Sequence, residues 1–426
     1  MKIPGWWRVS YFYDRRVEDL IELRKSIERI KSPQEYIVEC YKIWKAKNKK
    51  LSKGVNIIGF AKGDFGLAEA MRLVTHAIAT TDVAFCANNS GDTGNHSTTN
   101  EELTPYLIED SPYLINLFTY NSDFTIHYSR VAYADGVKAT SFKRQYNISY
   151  GYWELSEYPE SWQVQDQFLK EIWAPSRFIK EVIEKYSSLP VFHMPIAVDF
   201  KMPVGYTRSR FGLPEGSLMY LFTFDLSSYS ARKNPQAVIE AFSKAFPVDK
   251  NENVSLVIKV NRLRTNKEQA TKAEALKNQI AFDPRMHIID EVLDRSSILG
   301  LISVCDCYVS LHRSEGFGLG MAEAMKMGKV VIGTNYSGNT DFMNEENSCL
   351  VNYTLKPVRI DEYLFVENDA VWAEPDVDHA SSYMKKIYED REFVKKKGEA
   401  AKLYIDTHHS FKAIGKRYEK RLKEIL

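Results

Sequence analysis

Glu315 and Glu323 lie eight positions apart, with seven residues between them, in RSEGFGLGMAEAMKMG. Two glutamates at that spacing mean little alone, and the setting is what makes them specific. Glu315 follows the apolar run CYVSLH and precedes a helical stretch, so it belongs to a strand-to-helix loop. Gly316, Gly318 and Gly320 let the backbone approach a ligand closely. The helix is expected to begin near Gly318 and to end at Gly328, a suitable C′ residue. Its free N–H groups and dipole suit an anion such as a diphosphate. Carboxylates are costly beside phosphate but serve well as acceptors for sugar and ribose hydroxyls. A second stretch, LMYLFTF followed by DLSSYSARKNPQAVIEAF, places the adjacent cations Arg232 and Lys233 before Pro235, which opens a helix. Two cations at a strand end can neutralise a leaving diphosphate where no metal does so. Lys259 closes LVIKV, either as a contact to phosphate or base or as an ordinary edge lysine.

The elements that must position these groups form two series. Short apolar runs suited to buried parallel strands appear at VNIIGFA, DVAFCA, YLINLFTY, QYNISYGY, EIWAP and LPVFHMP, and then at LMYLFTF, VSLVIKV, MHIID, CYVSLH and KVVIGT. Helical stretches lie between them, which predicts two doubly wound α/β domains with ligands at the carboxyl ends of the strands. Residues 1–53 read as a helical N-terminal extension, with Ile21, Leu23, Ile27 and Ile30 at near-helical spacing. That extension ends in KIWKAKNKKLSK, either a solvated helix face or a site of peripheral contact with anionic lipid.

The first series carries its own candidates. Gly63 and Gly66 lie in NIIGFAKGDFGLAEAMRL, a glycine loop between strand and helix. It is not a dinucleotide fingerprint and no ribose-binding acid follows, which argues against NAD. Trp153 and Glu154 stand at the carboxyl end of YNISYGY. Glu154 is either a partner or base for an acceptor hydroxyl, or a carboxylate favoured by a helix dipole. Trp153 is a candidate stacking surface for an acceptor glycan. His127, in DFTIHYSR, is a site histidine or a satisfied structural one. Asp376 and Asp378 precede a helix and read as caps, so no metal is expected.

Composition bounds the class. The 57 Lys+Arg and 56 Asp+Glu leave a net charge of +1, unlike a protein that coats nucleic acid. With 27% charged and 44% hydrophobic residues the chain is globular. The 5 cysteines lack ligand spacing, which predicts no zinc and a reducing, cytoplasmic setting. The N-terminus lacks a signal-peptide core, and no apolar run approaches the ~20 residues that span a bilayer.

The stretch SLHRSEGFGLGMAEAMKMGKVVIGTNYSGNTDFM resembles the retaining GT-B glycosyltransferases of family 4, and the likeness takes in most of residues 55–425. It implies a GT-B fold: two doubly wound Rossmann-like domains facing a cleft. Residues 54–203 would form the acceptor domain, 204–403 the nucleotide-sugar domain, and 404–426 a helix returning to the first. By the same resemblance Glu315 contacts the transferred sugar, Glu323 the ribose, and the backbone of Phe317, Gly318 and Leu319 after Gly316 the sugar and phosphate. The Arg232–Lys233 stretch looks like the family's phosphate loop, although many members separate the two cations. The Gly63–Gly66 loop is similar to one that covers donor phosphate and acceptor. YNISYGYWELSEYPESW resembles a subgroup that builds bacterial O-antigens and capsules. Many other members carry a histidine where this chain has Trp153-Glu154. The implied activity is metal-independent, cofactor-free, retaining transfer from a nucleotide-sugar to a glycan or lipid-linked glycan. GDP-mannose is favoured as donor, with UDP- and dTDP-sugars open, and no nucleic acid is involved. Replacing Glu315 by Ala is expected to reduce transfer sharply and leave folding intact. The alternatives are a catalytically silent GT-B partner subunit that binds nucleotide-sugar, a phosphorylase with a pyridoxal phosphate lysine, and a membrane-surface scaffold.

Overall fold

A computed structural model describes residues 50–89, 98–134, 142–226, 229–250, 252–261, 267–367 and 369–426. The helical extension and most of its lysine cluster lie outside these residues, and the first strand already begins at Ser52. The first half runs β1 (Ser52–Gly59), α1 (Gly66–Ala79), β2 (Phe85–Asn89), β3 (Tyr113–Phe118), α2 (Ser122–Ala134), β4 (Tyr146–Tyr150), β5 (Glu171–Ala174), α3 (Arg177–Glu184) and β6 (Val191–His193). Its strands form one parallel sheet in the order β2-β1-β3-β4-β5-β6, with Ile57 opposite both Ala87 and Leu117. The central strands are apolar because helices cover both faces. The polar exceptions pair with one another: Asn56 Nδ2 donates to Asn116 Oδ1 at 2.9 Å, and Asn116 Nδ2 to Asn147 Oδ1 at 2.8 Å.

The second half runs β7 (Leu218–Asp225), a short α4 (Ser230–Lys233), α5 (Pro235–Ala245), β8 (Val254–Asn261), α6 (Lys267–Ile280), β9 (Met286–Ile289), α7 (Arg295–Val304), β10 (Cys307–Ser310), α8 (Leu319–Lys326), β11 (Val330–Thr334) and β12 (Cys349–Val351). These strands are parallel in the order β12-β11-β10-β7-β8-β9. The winding reverses between β7 and β10, the crevice where ligands bind in such sheets. The two parallel-sheet domains expected from the apolar runs are therefore present.

An antiparallel hairpin follows, β13 (Tyr353–Pro357) and β14 (Val371–Pro375), and then α9 (Val377–Glu389), α10 (Arg391–His408) and α11 (Phe411–Ile425). Asp376 caps α9 by accepting from His379 N at 2.9 Å, as its position predicts. The hairpin belongs to the second half in sequence, yet its Val358, Ala370 and Trp372 are buried in a cluster with Trp153, Tyr158 and Trp162 of the first. The last helix also crosses back. Tyr418 Oη donates to Pro195 O at 2.7 Å, and Arg421 pairs with the buried Glu171 of β5. Among the described residues no helix is long and apolar enough to cross a membrane.

Helix α11 lies directly on α1, and a Cβ at Gly415 would land on Ala77 O and Thr80 Oγ1. Gly415→Val is expected to destabilise the protein by about 1–3 kcal/mol through overpacking. An unchanged urea midpoint would show that the two helices can part at no cost.

Candidate functional site

The loops after β7 and β10 meet at the point where the second sheet reverses its winding. Arg232 and Lys233 end the short α4, which is bracketed by Tyr229 at φ 60° and Asn234 at φ 53°. Positive φ is uncommon outside glycine and is tolerated best by asparagine, so the Tyr229 backbone is strained here. Gly318, at φ 95°, precedes α8 and turns the β10 loop into it. That loop is pinned from below. His312 is buried, with Nε2 3.1 Å from Asn339 Oδ1 and Nδ1 3.0 Å from Ser310 Oγ. Both of its nitrogens are therefore occupied inside the domain.

The two loops bring Glu315 between two cations. Arg232 Nη1 stands 3.2 Å from Glu315 Oε2, and Lys233 Nζ contacts Oε1. Arg232 is 4% exposed and also donates to Ser314 O at 2.8 Å. Burial pushes the Glu315 carboxyl up, but Lys233 and then Arg232 outweigh it and hold it at about 2. Burial, and then the neighbouring Arg232, lower the Lys233 ammonium from its usual range. The Glu315 backbone is fixed as well, its N–H donating to Ser337 Oγ at 2.8 Å.

The first half reaches the same cluster through Glu154, which lies 3.8 Å from Arg232 Nη2. Glu154 Oε2 accepts from Tyr363 Oη at 2.7 Å, and the Glu154 carbonyl accepts from Ser314 Oγ. Tyr363 rides on the hairpin loop, and the Arg232 guanidinium carbon lies 6.0 Å from its ring centre. Phe365 and Asp369 of the same loop hold positive φ, at 48° and 68°. Strained backbone of this kind, in the loops that border one cleft, fits a functional site.

Other expected residues fall nearby or outside. Glu323 is buried on α8 and pairs with Arg295 Nη2 at 2.6 Å. Burial raises the Glu323 carboxyl, opposed by that arginine. The Gly316 carbonyl accepts from Ser176 Oγ at 2.8 Å, joining the two halves, and Phe317 packs on Phe342. Leu319 is the first residue of α8. Gly63 O accepts from Arg72 Nη1 at 2.8 Å, and Gly66 begins α1. Lys259 is 1% exposed, donates to Val260 O at 2.8 Å, and is lowered by burial to about 8.

Two expectations are corrected. Trp153 is 3% exposed, its ring against Trp162 at 4.9 Å and Tyr363 at 5.8 Å, so it offers no open face to a glycan. His127 does not follow its strand but lies exposed in α2, away from the cluster just described. No local pattern in the residue order marks Tyr363, Ser337, Arg295 or Arg313. Arg313 N donates to Arg232 O at 2.8 Å, and its side chain pairs with Glu374 of the hairpin at 3.0 Å. A cavity of about 300 Å³, lined by Arg177, His193, Asp341, His409 and Arg417, lies elsewhere on the seam and shares none of the cluster's residues. No group of metal-ligating side chains occurs among the described residues.

The expectation that Glu315→Ala leaves folding intact is also revised, because it takes the nearer carboxylate from the buried Arg232 and leaves it only Glu154 at 3.8 Å, at a cost of up to about 3–5 kcal/mol. Gln keeps the shape and one of the two acceptor oxygens and is the milder probe. With a folded value of about 2, below the ordinary ~4.3 of a free glutamate, the carboxylate stabilises the fold fully above the unfolded value. That contribution is lost as pH falls toward the folded value. The stability gap between wild type and Glu315→Gln, from urea unfolding, should be flat above about pH 5.5 and shrink below it.

Comparison with known proteins agrees with this geometry. Residues 210–404 match the family model Glycosyl transferases group 1. Over 152 residues the chain is 22% identical to the serotype-specific mannosyltransferase WbdA of Escherichia coli, a match covering 36% of this chain and 18% of that protein. The chain thus spans less than a fifth of the curated relatives it matches. Anabaena Alr3699/HepE, solved in complex with UDP-glucose, superposes at TM-score 0.64 with 12% identity, over 88% of this chain and 100% of that one. A glycosyltransferase from Rickettsia africae ESF-5 gives 0.63 with 15% identity, and the sucrose-phosphate synthase of Thermosynechococcus elongatus 0.62 with 14%, each over 88% of this chain and 99% of the other. At such identities these structures establish the fold. Residues 210–404, with the Glu315 loop among them, thus match the Glycosyl transferases group 1 model, and the two Rossmann-like sheets share the GT-B fold of the solved neighbours.

Proposed function

We propose that this protein is a retaining, metal-independent family 4 glycosyltransferase. It moves a sugar from a nucleotide-sugar to a hydroxyl of a glycan or lipid-linked glycan in bacterial surface polysaccharide synthesis. The observation that carries the reading is the Arg232–Glu315–Lys233 cluster at the winding reversal beside the start of α8. Arg232, Lys233 and the backbone N–H groups from Phe317 to Leu319 stabilise the charge that develops on the departing diphosphate. Glu315 orients the sugar by accepting from its hydroxyls. A carboxylate held at about 2 between two cations is a poor acid and a poor nucleophile. The anomeric C–O bond therefore breaks toward the phosphate, and the acceptor oxygen attacks on the same face. The freed phosphate oxygen takes the acceptor proton.

Glu323 accepts from the ribose, and the Gly63–Gly66 loop covers the phosphates. Lys259 serves phosphate or base. Glu154, held by Tyr363, faces the acceptor side. Work on a lipid-linked glycan would place the enzyme in the cytoplasm, at the inner face of the membrane. WbdA is named a mannosyltransferase and HepE was solved with UDP-glucose. Mannose and glucose donors of GDP, UDP and dTDP therefore form the test panel.

A thermal-shift screen against that panel should find a nucleotide that stabilises the protein by about 2.7 kcal/mol at roughly 100 times its Kd. No stabilisation by any of them would sink the reading. With the matching donor, Glu315→Gln should lower transfer by about a hundredfold or more while the fold survives. Binding without transfer to any acceptor would favour a silent partner subunit instead.

A further inference from the structure

Arg295 opens α7 in the second half, but its side chain also reaches the first. Nη2 lies 2.6 Å from Glu323 Oε1 and 3.0 Å from Glu69 Oε1 on α1. Glu69 pairs in turn with Arg72 Nη2 at 2.8 Å, and Arg72 holds the Gly63 carbonyl. A continuous chain of charge therefore runs from α8 across the cleft to the glycine loop. Glu323 is 3% exposed, and its Oε1 is buried 2.6 Å from Arg295 as an ion pair without an aligned hydrogen bond. The ion pair with Arg295 is made through Oε1. A carboxylate this buried keeps its charge only beside a cation, and Arg295 is the cation paired with it among the described residues.

We propose that Arg295 is a positioning residue for ribose recognition. It fixes Glu323 through Oε1, leaves Oε2 to accept from a ribose hydroxyl, and is itself anchored across the cleft by Glu69. The inference rests on the cleft being a nucleotide-sugar site. It adds a coupling: the ribose acceptor is fully ordered only when α1 of the first half is in place against α7. A ribonucleotide thus favours the closed pair of domains, and a nucleotide without ribose hydroxyls does not.

The test compares UDP and GDP with their 2′,3′-dideoxy analogues by calorimetry on the full chain. Wild type should prefer the ribose form of whichever base binds by about tenfold or more, the worth of a hydrogen bond to a charged acceptor. In Arg295→Ala that preference should fall to within about twofold, with dideoxy affinity unchanged. Arg295→Lys, which restores a cation, should recover part of it, a rescue that a general packing defect would not show. Glu69→Gln should weaken only the ribose form, by a few fold. An Arg295→Ala protein that keeps the full preference, or weakens both forms equally, would overturn the inference alone. A wild type that binds neither UDP nor GDP would overturn it together with the nucleotide-sugar reading.

Discussion

The site depends on one interaction, a carboxylate held out of water between two cations. Glu315 could not be buried as an anion alone, and Arg232 could not be buried as a cation alone. Together they become affordable, and together they require both loops. Arg232 comes from the segment after β7 and Glu315 from the segment after β10, strands that are neighbours only because the sheet reverses there. Arg313 then bonds the two segments through their backbones, and Ser337 holds the Glu315 amide. The cluster is therefore pre-organised. Its charges would need little rearrangement to meet the proposed diphosphate, the condition under which electrostatic stabilisation is most effective.

Much of this was legible in the residue order. Every apolar run read as a strand, from VNIIGFA to KVVIGT, contains one in the structure. Parallel strands buried on both faces leave that continuous signal. The glycine-marked start of α8 was legible for a similar reason, since Gly318 must adopt a positive φ. The short strands β12, β13 and β14 were missed. Tyr353 and Leu355 are exposed, so β13 lacks a buried run to betray it. Tyr363 and Arg295 were missed because their value comes from partners far along the chain, Glu154 and Glu69, and no local pattern encodes such a meeting. Trp153 was misread because an aromatic at a strand end looks the same whether it faces a glycan or a neighbouring tryptophan.

Both halves contribute to the cleft, and their contacts are polar where chemistry is expected and apolar behind it. Glu154, Glu69 and Ser176 reach across with hydrogen bonds and ion pairs. Such contacts can be exchanged for contacts to a ligand, which suits a cleft that must open and close. The aromatic cluster around Trp372 has no such alternative partner in water.

That cluster sets the order in which the chain can become itself. Trp162 and Tyr158 are made early in synthesis, and Trp372 and Ala370, which bury them, come some two hundred residues later. Until then the nascent first half carries an open aromatic face, of the kind that recruits chaperones or sticks to other chains. Helix α11, made after Trp372, then closes over α1. A gene cut between the two sheets would therefore yield not two small working domains but two fragments, each with a raw surface shaped for the other.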